Sequence, residues 1–235
     1  MTNPGPNPVL EKINLARQPV AIAFLNTPPA GLERIDRPAP AGCAYWKYAS
    51  EGQSFYTTND DHQNCPVGAF THGVTLPPEK AQELQALVGT MIELQYLDGE
   101  EIPRIPHRTD PLRIAAYAPL DRATFDPDVV VFRGNARQIM LLSEAARAAG
   151  AFEGGTAMGR PACAMLPRAL DAATGVASVA CIGNRVYTEL GDNELYLAVP
   201  GHGLQATLKR LETILNANVA LEAFHRERAE RLGAS

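Results

Sequence analysis

Four cysteines, Cys43, Cys65, Cys163 and Cys181, carry the clearest chemistry in this chain. Their spacings are far longer than the two-residue gaps of zinc ribbons and ferredoxins, so position in the fold must do what spacing does not. Cys43 beside Gly42, Cys65 beside Pro66 and Cys163 two residues after Pro161 each stand at an expected helix start. There the helix dipole and free backbone N–H groups favour the thiolate, the form that binds metal. Cys181 is expected to end a strand, followed by the turn Ile182-Gly183-Asn184-Arg185. Four soft sulfurs suit an iron–sulfur cluster, of the 4Fe-4S kind, or zinc. The plain alternative is four separately packed cysteines with no metal, because free cysteine is among the most buried residue types.

Other residues offer less. Arg185, close after Cys181, could hold an anionic substrate by charge-assisted hydrogen bonds, or simply form an ion pair. Arg160 has a weaker version of the same claim. The run Gly154-Gly-Thr-Ala-Met-Gly-Arg-Pro161 could cradle a phosphate, but it lacks both phosphate-loop fingerprints and reads better as a tight loop. His62 lies in the polar run 59–64 and reads as solvated; His72 reads as a helix end before Gly73. Tyr45, Trp46, Tyr48, Phe55 and Tyr56 crowd around Cys43, as core packing or as a shield for a cluster. No serine-hydrolase elbow and no zincin His pair is present.

The elements that must position these groups follow from local pattern. Val20–Leu25, 54–58, 92–97, 112–118, 128–132, 176–181 and 194–199 read as strands. Helices are expected over 8–17, 42–49, from Asn64 as cap onward, 78–90, 135–149, from Cys163 to Leu170, and over the C-terminal segment. In that last helix Leu204, Leu208, Leu211, Leu215 and Phe224 form the inner stripe. Each half has a cysteine opening a helix, a second cysteine later, then an apolar segment ending in proline, with 74–78 paralleling 197–200. The expected architecture is therefore α/β (mixed α+β), one compact domain over 1–235. Its pseudo-repeated halves, 1–110 and 111–235, would each carry a small sheet and flanking helices.

Several segments resemble the family known as domain of unknown function 169. They are Pro19-Val-Ala-Ile-Ala-Phe24, Asn64-Cys-Pro-Val-Gly68, Ala118-Pro-Leu120 with Pro127-Asp-Val-Val-Val131, Ala162-Cys163, and Ser178-Val-Ala-Cys-Ile-Gly-Asn-Arg185 running on to Pro200. The resemblance covers nearly the whole chain. It implies cysteines recurring at the positions of Cys43, Cys65, Cys163 and Cys181, hence a shared site, and no assigned activity. The chain departs from the family at Cys163-Ala-Met-Leu-Pro-Arg168, where an acidic residue commonly follows Cys-Ala.

Composition narrows the class. A formal charge of −5 and no basic cluster argue against a nucleic-acid partner. No apolar run is long enough for a membrane span, and the polar, proline-rich start lacks the features of a secretory leader. Those features place the chain in the cytoplasm, where cysteines held together are metal ligands or redox groups more often than disulfides. The expectation is a protein whose four cysteines ligate one iron–sulfur cluster, with Arg185 orienting a small anionic substrate for redox or Lewis-acid chemistry. Its partners would be that small molecule or a redox protein, and a second copy in a homo-oligomer. The alternative is a non-catalytic small-molecule-binding protein with structural cysteines or structural zinc.

Overall fold

The computed structural model describes residues 7–154 and 159–233, so the centre of the glycine-rich loop, 155–158, lies outside the described residues. Six strands form one antiparallel sheet in the order β2-β3-β1-β4-β6-β5. They are β1 (Val20–Leu25), β2 (Phe55–Thr58), β3 (Ile114–Pro119), β4 (Val129–Asn135), β5 (Val176–Ser178) and β6 (Glu194–Pro200). The helices are α1 (Pro8–Glu11), α2 (Ala44–Ser50), α3 (Pro66–His72), α4 (Pro78–Glu93), α5 (Ala136–Ala148), α6 (Met165–Ala172), α7 (Ile182–Thr188) and α8 (Gly201–Arg231).

The inner strands are apolar on both faces because both faces are covered. Ala21, Val130, Phe132, Leu197 and Val199 pack against α5 and α8 through Leu142, Ala145, Leu204, Leu208 and Leu211. Val20, Ile22, Tyr117, Val131 and Ala198 point the other way, toward the layer that carries Cys43, Trp46, Cys163 and Leu166. Helix α5 starts where the sequence places it, with Asn135 and Gln138 forming a reciprocal capping box. Among the described residues no helix is long and apolar enough to cross a membrane.

The strand pairing has a twofold correspondence of its own. Ala21 faces Val130 where β1 meets β4. On one side Val20 faces Pro119 and Phe55 faces Tyr117; on the other Val129 faces Pro200 and Val176 faces Ala198. Leu120 N–H donates to the Pro19 carbonyl at 2.8 Å, and Gly201 N–H to the Asp128 carbonyl at 2.8 Å, at matching places. The register of β2-β3-β1 thus matches that of β5-β6-β4 about the β1–β4 contact.

Several sequence expectations are corrected here. There is one continuous sheet, not a small sheet per half, because β1 and β4 pair directly. A division after residue 110 places β3 in the second half, whereas its register groups it with β1 and β2. Residues 74–77 form no strand, so the counterpart of 197–200 is the end of β3. The stretch 92–97 is also not a strand: it finishes α4 and turns into the 3-10 helix Gly99–Arg104. The first helix stops at Glu11, and Phe224 is 49% exposed because α8 runs on past the sheet that buries its first three turns.

Gly201 opens α8 directly against the start of β4. A Cβ there would fall well inside contact distance of the Pro127 carbonyl oxygen, a backbone atom that cannot swing aside. Gly201→Ala is expected to destabilise the fold by about 2–4 kcal/mol despite alanine's better helix propensity. The reading is a lower urea midpoint at unchanged slope; a wild-type midpoint would show the contact to be freely relieved.

Candidate functional site

Four separate elements deliver the cysteines to one place. Cys43 immediately precedes α2, Cys65 caps α3, Cys163 sits in the 3-10 turn Ala162–Ala164 leading into α6, and Cys181 caps α7. Cys181 precedes a helix like the other three, because β5 already stops at Ser178. All four are free thiols, and all four line a single cavity of about 340 Å³. Their placement follows the sheet's twofold relation. Cys43 and Cys163 open the helices before β2 and β5, and Cys65 and Cys181 cap the helices after those strands.

The sulfurs feel one another. Burial pushes the Cys43 thiol up to about 12, with Cys65 and Cys181 adding to the rise. Cys163 is raised well above the ordinary thiol value, first by burial and further by all three other cysteines. Cys65 is raised by burial, while the Gly68 amide opposes the rise. Without a cation these groups are neutral thiols; a cation among them would reverse that preference.

Polar groups stand ready for the sulfurs. Gly68 N–H donates to Cys65 Sγ at 3.4 Å, in the first turn of α3. Thr71 Oγ1 lies 3.1 Å from Cys163 Sγ and 2.9 Å from the Gly68 carbonyl. Its one proton can serve the carbonyl while Cys163 is a thiol, and turn to sulfur if Cys163 becomes a thiolate. Asn184 is 1% exposed, its Nδ2 makes no well-aligned hydrogen bond among the described residues, and its amide lies close enough to Cys43 to draw that thiol's pKa down. An orphaned buried donor beside a thiol is costly unless a charged sulfur is there to accept it. In the sequence Asn184 stands only as part of the turn after Cys181. The available signal was its place three residues after Cys181, where a helical side chain returns over its own first turn.

Behind the cysteines lies a second buried group. His62, expected in a solvated loop, is 2% exposed, because the turn Asn59–His62 folds its ring under Tyr45 and Tyr117. Its Nε2 is 2.8 Å from Thr57 Oγ1, which donates onward to the Ala115 carbonyl. That chain of donors makes His62 the Nε2–H tautomer with a bare Nδ1. His72 ends α3 as expected, wholly buried, its ring 6.0 Å from that of His62. Burial holds His62 at about 3 and His72 at about 4, so both are neutral. Gly42 is required beside Cys43: a Cβ there would stand 2.7 Å from His62 Nδ1.

Arg185 is not among the residues lining the cavity. Its guanidinium donates to the carbonyls of Gly191 at 3.0 Å, Val179 at 2.9 Å and Glu194 at 3.4 Å, tying down both ends of the segment around Cys181. Arg160 does line the cavity, stacked over Tyr96 at 4.3 Å and 3.6 Å from a Glu101 carboxylate oxygen. The aromatic cluster near Cys43 belongs to the core: Tyr45 bonds the Asp61 carbonyl and Trp46 meets Tyr196 edge-on at 5.6 Å. The rings at the cavity are Phe70, Tyr96 and Tyr187 instead.

Among the described residues, no three His, Cys, Asp or Glu side chains converge as the ligands of one ion would. Cluster ligands are held differently, since each cysteine meets its own iron and the sulfurs stand apart around the whole inorganic core. No curated protein and no solved structure matches the chain. A family model does match, over residues 9–210, from α1 into α8 and across all four cysteines. The chain belongs to the family DUF169, described as uncharacterised ArCR.

Proposed function

We propose that this chain is a cysteine-ligated iron–sulfur protein. Cys43, Cys65, Cys163 and Cys181 would hold one cluster, for redox or Lewis-acid chemistry on a small anionic substrate. The observation that carries the reading is that four cysteines from distant parts of the chain line one cavity, with hydrogen-bond donors beside Cys65 and Cys163. Four independently packed cysteines have no reason to share a cavity or to recruit Asn184 and Thr71.

Such a group would supply electron transfer or an electrophilic metal site. The protein's part is to exclude water with an apolar wall, to offset negative sulfur charge with donors, and to fix the ligands on short rigid elements. Arg185 fits this scheme as a positioning residue for Cys181, through the Val179 and Gly191 carbonyls. A reducing cytoplasm and a redox partner protein complete the reading.

Anaerobic purification followed by iron and sulfide analysis, visible absorption and EPR tests it. Iron and sulfide in stoichiometric amounts, with a thiolate-to-iron absorption band, are expected. A colourless protein that takes up no iron on reconstitution ends the cluster reading. The apolar remainder of the cavity favours a second reading, a small-molecule-binding protein with structural cysteines; it predicts ligand binding that survives replacement of all four. Structural zinc would instead appear as stoichiometric zinc whose chelation unfolds the protein.

A further inference from the structure

The segment from α4 through the 3-10 helix Gly99–Arg104 has no counterpart across the sheet's twofold relation. The chain takes residues 73–113 to pass from α3 to β3, but only 189–193 to pass from α7 to β6. No residue of α4 is fully buried, so the helix contributes little to the core. Its apolar positions Leu84, Leu87, Val88 and Met91, at the spacing of one helical face, all line the cysteine cavity. Tyr96, Leu97, Ile102 and Ile105 continue the same wall. Protein interiors are close-packed, and a chain that only needed these side chains covered could collapse them onto one another. Here they surround open space of about 340 Å³, a volume typical of small-molecule sites.

The polarity of the walls is uneven. Arg160 is the one charged residue lining the cavity among the described residues, and its side chain is 43% exposed, which places it at the mouth. Its ion pair with Glu101 is long and half solvated, so it is weak and readily exchanged for another anion.

We propose that this cavity is a binding site for an apolar organic acid. Its hydrocarbon part would lie between α4 and the cysteines, and its acid group would meet Arg160. This deepens the cluster reading by naming the substrate class, and rests on it only for what the ligand meets at the inner end.

The probes are N-phenylnaphthylamine and its sulfonated analogue anilinonaphthalene sulfonate, titrated by fluorescence against the protein before and after iron reconstitution. One saturable site is expected for each in at least one of the two states. Val88→Trp, which fills the cavity from a helix the core does not need, should weaken both probes at least tenfold. Met91→Trp should do the same, and Gln82→Trp, on the outer face of α4, should leave both unchanged. Arg160→Gln should weaken the sulfonate about tenfold and spare the neutral probe. Absence of saturable binding in both states, indifference to the two cavity-filling variants, or equal effects of Arg160→Gln on both probes would overturn the proposal. Protein that takes up no iron on reconstitution yet binds with the full pattern would sink the cluster and keep the cavity; protein that loads iron and binds neither probe in either state would do the reverse.

Discussion

Replacing Cys163 by alanine is expected to leave the protein folded and strip it of iron. Cys163 is buried in the same core layer as Ala162 and Leu166, and Thr71 keeps the Gly68 carbonyl as a partner when the sulfur is gone, so alanine costs about 1–2 kcal/mol at most. The effect on a cluster is of another order, because a four-ligand site that loses one thiolate leaves an iron open to water and exchange. The same total loss is expected for Cys43→Ala, Cys65→Ala and Cys181→Ala, and a second replacement should add almost nothing. That non-additivity separates a common site from four packed side chains, whose small stability costs would sum. Iron per chain and the visible spectrum are the readouts, with metal-free melting as the control for folding. Wild-type iron in any one of the four single variants would remove that cysteine from the site.

The second large effect is on acid stability. His62 is held at about 3 and His72 at about 4, by burial first, against the ordinary histidine value of 6.5. Below pH ~6.5 the unfolded chain takes up a proton at each position and the folded chain does not, so stability falls as pH falls. The slope is about 1.4 kcal/mol per pH unit for each histidine, continuing until pH approaches the folded values. The window from pH ~6.5 to ~5 isolates this behaviour, since carboxylates remain ionised there. Urea midpoints across that window should drop steeply for the wild type. His62→Gln, which keeps a side chain able to bond Thr57 and cannot be protonated, should reduce the slope by about half. A flat wild-type profile would mean that these rings are protonated in the folded protein.

The two effects test one layer of the molecule. Gly42 joins them physically, with Cys43 following it in the chain and the His62 ring filling the space its missing side chain leaves. Deformation of the histidine pocket should therefore reach Cys43, while α5 and α8, on the far face of the sheet, should tolerate surface change without touching the cysteine cavity.

Local pattern carried a good part of this architecture. Val20–Leu25 is an apolar run closed by Asn and Pro, and it is β1 to the residue. Asn135 announced α5 because its cap is made by neighbours within one helical turn. The mixed α/β class and the helix beginnings at three cysteines were legible, since each depends on residues close together in sequence. Where local signals compete, reading failed: 92–97 has strand composition but completes the helix that begins at Pro78, and Phe224 keeps the helical spacing after the sheet beneath it has ended.

Only the tertiary structure decided the rest, because it depends on contacts between residues far apart in the chain. Strand order brings β1 against β4, and that pairing carries the helix starts of both groups of strands to the same cavity. His62 looks solvated from its polar neighbours and is buried because Tyr45 and Tyr117 close over it from other elements. Arg185 reads from sequence as a partner for an anion and is instead engaged by three carbonyls that a loop and a strand bring around it. Composition supplied the four cysteines; long-range pairing of the backbone chose where they stand.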